Sequence, residues 1–286
     1  LWREGDEVCK GDTRPYIKDL DTLPVAARDL FRCERYLMPH NGRRYTLLNV
    51  ARGCPYSCTY CIAPFFYGKK HRTHSVKYLL DEMEQCQREL GITGFLFWEE
   101  IFTLDRPFVV ELCEAIIARG WDIEWASTTR ADCLDQELLH LMRRSGCTLM
   151  GLGIETCEQE ILDSTGKNMT VSKIREGVEM MQAADIKVMA HFMVGLPGET
   201  RETVDRTIRY ATTLDPDYLQ VYAAVPWPKT AFGEQARERG WVTASSWADY
   251  DTGGRSIVEV PGISSAEVDA ARERLYRAFY LRPSYV

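Results

Sequence analysis

The chain has 286 residues, of which 45% are hydrophobic and 27% charged, with a formal net charge of −7. Those fractions belong to an ordinary globular protein long enough to bury a full core, as one large α/β domain or two small ones. The acidic balance argues against a broad phosphate-binding surface, so nucleic acid is not the expected partner. Neither a signal peptide nor an apolar run of membrane length is expected.

Residues 1–44 read as an N-terminal linker, 45–240 as the main domain and 241–286 as a C-terminal extension. From Tyr45 onward, strand-like apolar runs alternate with amphipathic helix-like runs at a period of roughly thirty residues. The expected strands are Tyr45–Val50, Gly94–Trp98, Ile123–Ser127, Leu149–Ile154, Lys187–Val194 and Tyr218–Ala223. The expected helices are Val76–Leu90, Pro107–Arg119, Gln136–Ser145, Ser172–Ala184, Arg201–Leu214 and Ala231–Arg239. Pro107 suits a first helical turn, Gly91, Gly120 and Gly146 suit C-terminal caps, and Thr200 suits an N-cap. Successive β/α units imply a parallel sheet with right-handed crossovers. A complete eight-unit barrel takes about 250 residues, so six units predict an α/β fold of the open, partial (β/α)6 barrel type. Ligands then belong at the carboxyl ends of the strands, where the polar and Gly/Pro-rich clusters of this sequence collect.

The first of these clusters is Ala51-Arg-Gly-Cys54-Pro-Tyr-Ser-Cys58-Thr-Tyr-Cys61. Three thiolates in one tight loop are a common grip for an iron–sulfur cluster, and a four-iron cubane would keep one iron for another ligand. Gly53 and Pro55 let the backbone wrap closely, and Tyr60 stands ready to shield the group. Zinc is the alternative, with His71 or His74 as a fourth ligand, although no second Cys pair follows. On that alternative the chain is a non-catalytic, zinc- or cluster-stabilised binding module. The remaining cysteines, Cys9, Cys33, Cys86, Cys113, Cys133, Cys147 and Cys157, are scattered singly, which is no disulfide framework and implies a reducing, cytoplasmic setting. The basic run Lys69-Lys-His-Arg72 reads as a solvated loop or as a source of positive charge near the cysteines.

The second strand ends in Phe95-Leu-Phe-Trp-Glu-Glu-Ile-Phe102. Adjacent strand residues face opposite ways, so one of Glu99 and Glu100 faces the barrel, where it can accept hydrogen bonds from an ammonium group. The fourth strand closes on Gly151-Leu-Gly-Ile-Glu155, the fifth on Gly195-Leu-Pro-Gly-Glu-Thr200, and Pro226-Trp-Pro-Lys-Thr230 follows the sixth. His191 lies mid-strand as a candidate substrate contact, and Lys167 in Thr165-Gly-Lys reads as solvent-facing.

The Cys-x-x-x-Cys-x-x-Cys run with an aromatic before its last Cys resembles the signature of the radical S-adenosylmethionine (radical SAM) superfamily. That resemblance implies the barrel's curvature, a [4Fe–4S] cluster on Cys54, Cys58 and Cys61, and SAM chelating the open iron. It further implies reductive cleavage of SAM to a 5′-deoxyadenosyl radical for C–H activation of a small-molecule substrate, with a reductase, flavodoxin or ferredoxin as electron donor. SAM contacts fall on Glu99, slightly preferred over Glu100, on Glu155, and on the segment bearing Gly195, Pro197 and Gly198. Ile17-Lys-Asp-Leu-Asp-Thr-Leu-Pro24 and Phe279-Tyr-Leu-Arg-Pro283 extend the resemblance over nearly the whole chain. They resemble the cobalamin-dependent subgroup that includes anaerobic magnesium-protoporphyrin monomethyl ester cyclase and methyltransferases. The subgroup's N-terminal cobalamin-binding domain, with its Asp-x-His-x-x-Gly run, is not in this sequence. The chain begins at Leu1 rather than Met, so sequence upstream is expected, and cobalamin use is an inference about that sequence. Lys229 stands where the subgroup has Gly.

Overall fold

The computed structural model of the chain describes residues 1–285. Six strands form one parallel sheet: β1 (Tyr45–Asn49), β2 (Gly94–Trp98), β3 (Glu124–Thr129), β4 (Cys147–Glu155), β5 (Lys187–Val194) and β6 (Tyr218–Ala223). Each strand pairs in parallel with its neighbours in sequence, so the order never reverses. Right-handed crossovers in that order put every connecting helix on one face, and the twisted sheet curls into the open six-unit barrel that the sequence predicts.

The helices are α1 (Val76–Leu90), α2 (Arg106–Arg119), α3 (Gln136–Arg144), α4 (Val171–Ala183), α5 (Arg201–Leu214), α6 (Ala231–Glu238) and α7 (Ser265–Tyr280). Their ends are set by local chemistry. Ser75 Oγ accepts from Tyr78 N at the start of α1, and Gly91 closes that helix in the left-handed region at φ 62°. Thr200 and Thr203 form a reciprocal capping pair on α5. Between sheet and helices, Phe97 stacks on Trp125 at 4.9 Å, and the Trp125 indole donates to Ser145 O at 3.1 Å, so its one polar atom is satisfied in the core.

Two short helices, Ala63–Tyr67 and Gln159–Ser164, escape the sequence reading because six residues or fewer cannot display a 3.6-residue period. β4 also begins earlier than expected, at Cys147 rather than Leu149. In the C-terminal extension α7 packs against β6, where Tyr280 both donates to and accepts from the Leu219 backbone and Tyr276 accepts from Val221 N. Those hydroxyls satisfy a sheet edge that would otherwise invite pairing. At the other edge, Arg28 ties the N-terminal segment to Leu47 O (2.7 Å) and to the buried Glu82 carboxylate (2.6 Å). Among the described residues no helix is long and apolar enough to cross a membrane.

Candidate active site

After β1 the chain makes a two-residue strand, Ala51–Arg52, that pairs antiparallel with Arg72–Thr73 and so ties off the cysteine loop at its base. Gly53 is required here twice over. Its φ is 102°, and a Cβ would lie 2.2 Å from Lys70 O. Inside the loop, Cys54 N donates to Gly68 O and Cys61 N to Cys58 O, each at 3.1 Å. The basic run serves the loop's architecture: Arg72 donates to Ile17 O and Tyr67 O, and Lys69 Nζ bonds Ser57 Oγ.

Cys54, Cys58 and Cys61 line a single open cavity of about 230 Å³ at the carboxyl ends of the strands. Burial pushes all three thiols up from their ordinary values, Cys61 to about 11, while Lys167 and Arg130 pull Cys58 the other way. A bound metal group would supply the positive charge that thiolates need there. A larger hollow, about 500 Å³, opens at the opposite end of the strands beside His40, Glu124 and Arg143. It holds no thiol; Arg143 there pairs with Asp185 and His40 with Glu124, while Lys187 stands over the Tyr218 ring.

The two carboxylates that end β2 diverge. Glu100 lines the thiol cavity, and burial raises its carboxyl above the ordinary range. Glu99 turns outward into the protein, wholly buried, with its Oε2 4.0 Å from His71 Nε2 and neither carboxylate oxygen hydrogen-bonded. Burial drives its carboxyl up to about 7, against the pull of His71.

Opposite Glu100 stands a charged pair that the sequence concealed. Lys167, expected to face solvent, is buried, and its Nζ lies 2.6 Å from both Glu155 Oε1 and Gly153 O. The correction has a simple cause. The loop after Gln159–Ser164 docks on the cysteine loop through Thr59 N to Thr165 O (2.7 Å), which carries Lys167 inward. Tyr60 OH donates to the same Glu155 oxygen at 2.9 Å. Glu155 itself sits at φ 65°, at a register shift between β4 and β5. A non-glycine residue held in that conformation at a strand end aims its side chain where a regular strand would not.

Arg130, after β3, is the second functional side chain that the sequence reading missed. Its guanidinium stacks on Tyr56 at 3.7 Å, pairs with Asp132, donates to Lys167 O and comes within 4.0 Å of Cys58 Sγ. Its signal was the polar run Ser127-Thr-Thr-Arg130 at a strand's end, the position where β2 and β4 also carry charge. The glycines of Gly151-Leu-Gly153 have a steric purpose. A Cβ at Gly151 would lie 2.7 Å from His191 Nε2, and one at Gly153 would lie 2.7 Å from both Glu155 Oε1 and Lys167 Nζ.

The segment with Gly195, Pro197 and Gly198 does not line this cavity. It is a tight turn in which the buried Glu199 carboxylate accepts from Gly195 N (2.5 Å) and Leu196 N (3.2 Å), with Gly195 packed against Val258 and Val268. The candidate zinc ligands point elsewhere as well: His74 Nδ1 bonds Asp21 Oδ1 at 3.1 Å, and His71 faces Glu99. Among the described residues no three of His, Cys, Asp and Glu converge as a single-ion site. Three thiols lining one cavity with neither His71 nor His74 beside them are a ligand count that suits a multi-iron cluster better than one tetrahedral ion.

A family model described as the radical SAM superfamily matches residues 48–211. The sequence is 29% identical over 282 residues to an uncharacterized methyltransferase of Pyrococcus horikoshii, covering 99% of this chain and 61% of that protein. It is 30% identical over 283 residues to the anaerobic magnesium-protoporphyrin IX monomethyl ester cyclase of Cereibacter sphaeroides, covering 98% of this chain and 45% of that protein. The chain thus spans about half the length of these relatives. In three dimensions it resembles the radical SAM methyltransferase TsrM from Kitasatospora setae, with a TM-score of 0.67 at 20% identity over 84% of this chain and 52% of that one. At that identity the likeness speaks for the fold alone.

Proposed function

The chain belongs to the radical SAM superfamily, and on that premise we propose that the thiol cavity holds a [4Fe–4S] cluster and SAM for C–H activation of a small molecule. One observation carries the reading: three thiols, the Glu100 carboxylate and the Glu155–Lys167 pair share one cavity at the carboxyl ends of a parallel sheet. Held by Cys54, Cys58 and Cys61, a reduced cluster would supply the single electron for cleaving the SAM sulfonium, the chemistry by which this family abstracts a hydrogen atom from substrate.

The residues divide the remaining work. Cys54, Cys58 and Cys61 hold three irons. Glu100 accepts hydrogen bonds from the SAM ammonium, and Lys167 offers a buried positive charge to its carboxylate. Tyr60 and Gly153 O fix Glu155 and Lys167, so neither reorganises when SAM arrives. The relatives' names favour methyl transfer or oxidative cyclisation as the finer chemistry, and the cobalamin bound in the TsrM structure favours cobalamin as a further cofactor. The electron comes from a reductase, flavodoxin or ferredoxin.

Anaerobic reconstitution with iron and sulfide, then EPR of the dithionite-reduced protein with and without SAM, tests this. A [4Fe–4S]⁺ signal that shifts on adding SAM, with 5′-deoxyadenosine in the quenched mixture, supports it. Uptake of a single zinc and no SAM-sensitive cluster would overturn it.

A further inference from the structure

The inner wall of the barrel carries a polar relay that none of the roles above uses. His191 on β5 lines the same cavity as the three thiols. Its Nδ1 lies 3.3 Å from Tyr222 OH on β6, and that hydroxyl also bonds Gln220 Oε1. The His191 and Tyr222 rings are nearly parallel, with centroids 5.8 Å apart. Gly151 gives the ring its space, since any Cβ there would lie 2.7 Å from Nε2.

A hydroxyl has one proton. With Gln220 Oε1 accepting it, Tyr222 oxygen is left as an acceptor, and the proton of a neutral imidazole settles on Nδ1. Nε2 then carries a bare lone pair, and among the described residues it has no hydrogen-bond partner. We propose that His191 Nε2 is the substrate-facing acceptor of this cavity, recognising an O–H or N–H group, with Tyr222 and Gln220 fixing its tautomer. This rests on the cavity being the radical SAM active site. The charged groups facing the imidazole are Glu155 and Lys167, with the Tyr222 phenol alongside, and burial holds His191 below the ordinary histidine range, so it stays neutral at pH 7. A neutral acceptor selects a donor-bearing substrate and disfavours its methylated or deoxy analogue, whose bound form would leave a buried lone pair unmet.

The test uses the reconstituted enzyme with phenol and toluene as probes, which are similar in shape and differ in one O–H donor. Diethylpyrocarbonate labels the bare nitrogen of a neutral imidazole, and peptide mass spectrometry reads the label at His191. We expect labelling at pH 6 and protection by phenol at concentrations about 3- to 10-fold lower than toluene, the worth of one net hydrogen bond. Tyr222→Phe, which frees the tautomer, narrows that preference. A merely packed histidine would not distinguish the two probes. Equal protection, or no label at His191, overturns the proposal while a SAM-sensitive EPR signal leaves the reading of the cavity standing; loss of that signal brings down both.

Discussion

Lys167 Nζ lies 2.6 Å from Glu155 Oε1, and both side chains are more than nine-tenths removed from water. A pair this buried gains little over well-packed apolar residues, because desolvation of each charge offsets the attraction, but breaking it strands the surviving charge. Lys167→Met and Glu155→Leu are therefore expected to cost about 3–5 kcal/mol each in urea unfolding. The double variant should recover most of that loss while failing to bind SAM. Strictly additive losses would mean the pair is not coupled in solution.

Glu99 and Glu100 are adjacent in sequence and separated by the pleat of β2. Only Glu100 lines the thiol cavity, so Glu100→Gln should weaken SAM binding by about 10- to 100-fold, the loss of a charge-assisted hydrogen bond. Glu99→Gln should leave SAM affinity within about 3-fold. Calorimetric titration of the reconstituted protein with SAM distinguishes them, and the reverse order would place the ammonium on the Glu99 side.

Glycine positions in the cysteine loop carry a sharper prediction. Gly53→Ala drives a Cβ to within 2.2 Å of a backbone oxygen at φ 102°, so the loop must open and iron incorporation should fall severely. Gly240 is also left-handed, at φ 68°, but has nothing within 4 Å, and Gly240→Ala should cost only about 1 kcal/mol. Iron content after reconstitution, measured beside thermal unfolding, separates loop closure from simple backbone strain.

Lys229 holds φ 69°, the left-handed region that favours glycine. The side chain pays about 1 kcal/mol for that conformation. Lys229→Gly should raise stability by a similar amount, and an unchanged unfolding midpoint would show that Lys229 makes a compensating contact.

The barrel was legible because each strand–helix unit repeats one alternation, and Ser75, Gly91 and Thr200 mark helix ends by chemistry that acts within one turn. The cysteines were legible because their spacing is local. Lys167 was not, since its burial depends on a loop bonding across to Thr59, 106 residues before Thr165, and nothing near Thr165-Gly-Lys encodes that partner. The slight preference for Glu99 fell on the residue outside the thiol cavity for a related reason: alternation says that the two diverge but not which way the strand is rolled. Arg130 carried a signal, charge at a strand end, that gains meaning only once β2, β3 and β4 are known to be neighbours.

Glu199 gives the pH dependence its sign. Burial raises its carboxyl to about 7, although two backbone N–H groups favour the ionised form and the nearest like charge is Glu158. In the unfolded chain a glutamate titrates near pH 4.3. Between about pH 4.3 and 7 the folded state holds a proton that the unfolded state has released, so this group makes stability fall as pH rises through that window. Below the window both states are protonated, and above it both are ionised, so the contribution is flat on either side. A shift of this size amounts to about 4 kcal/mol across the window. Glu199→Gln removes the titration, so the stability difference between variant and parent should change steadily from pH 4.5 to 7 in urea unfolding and level off above. Parallel curves through that range would mean that Glu199 is ionised in the folded protein, held by the Gly195 and Leu196 amides alone.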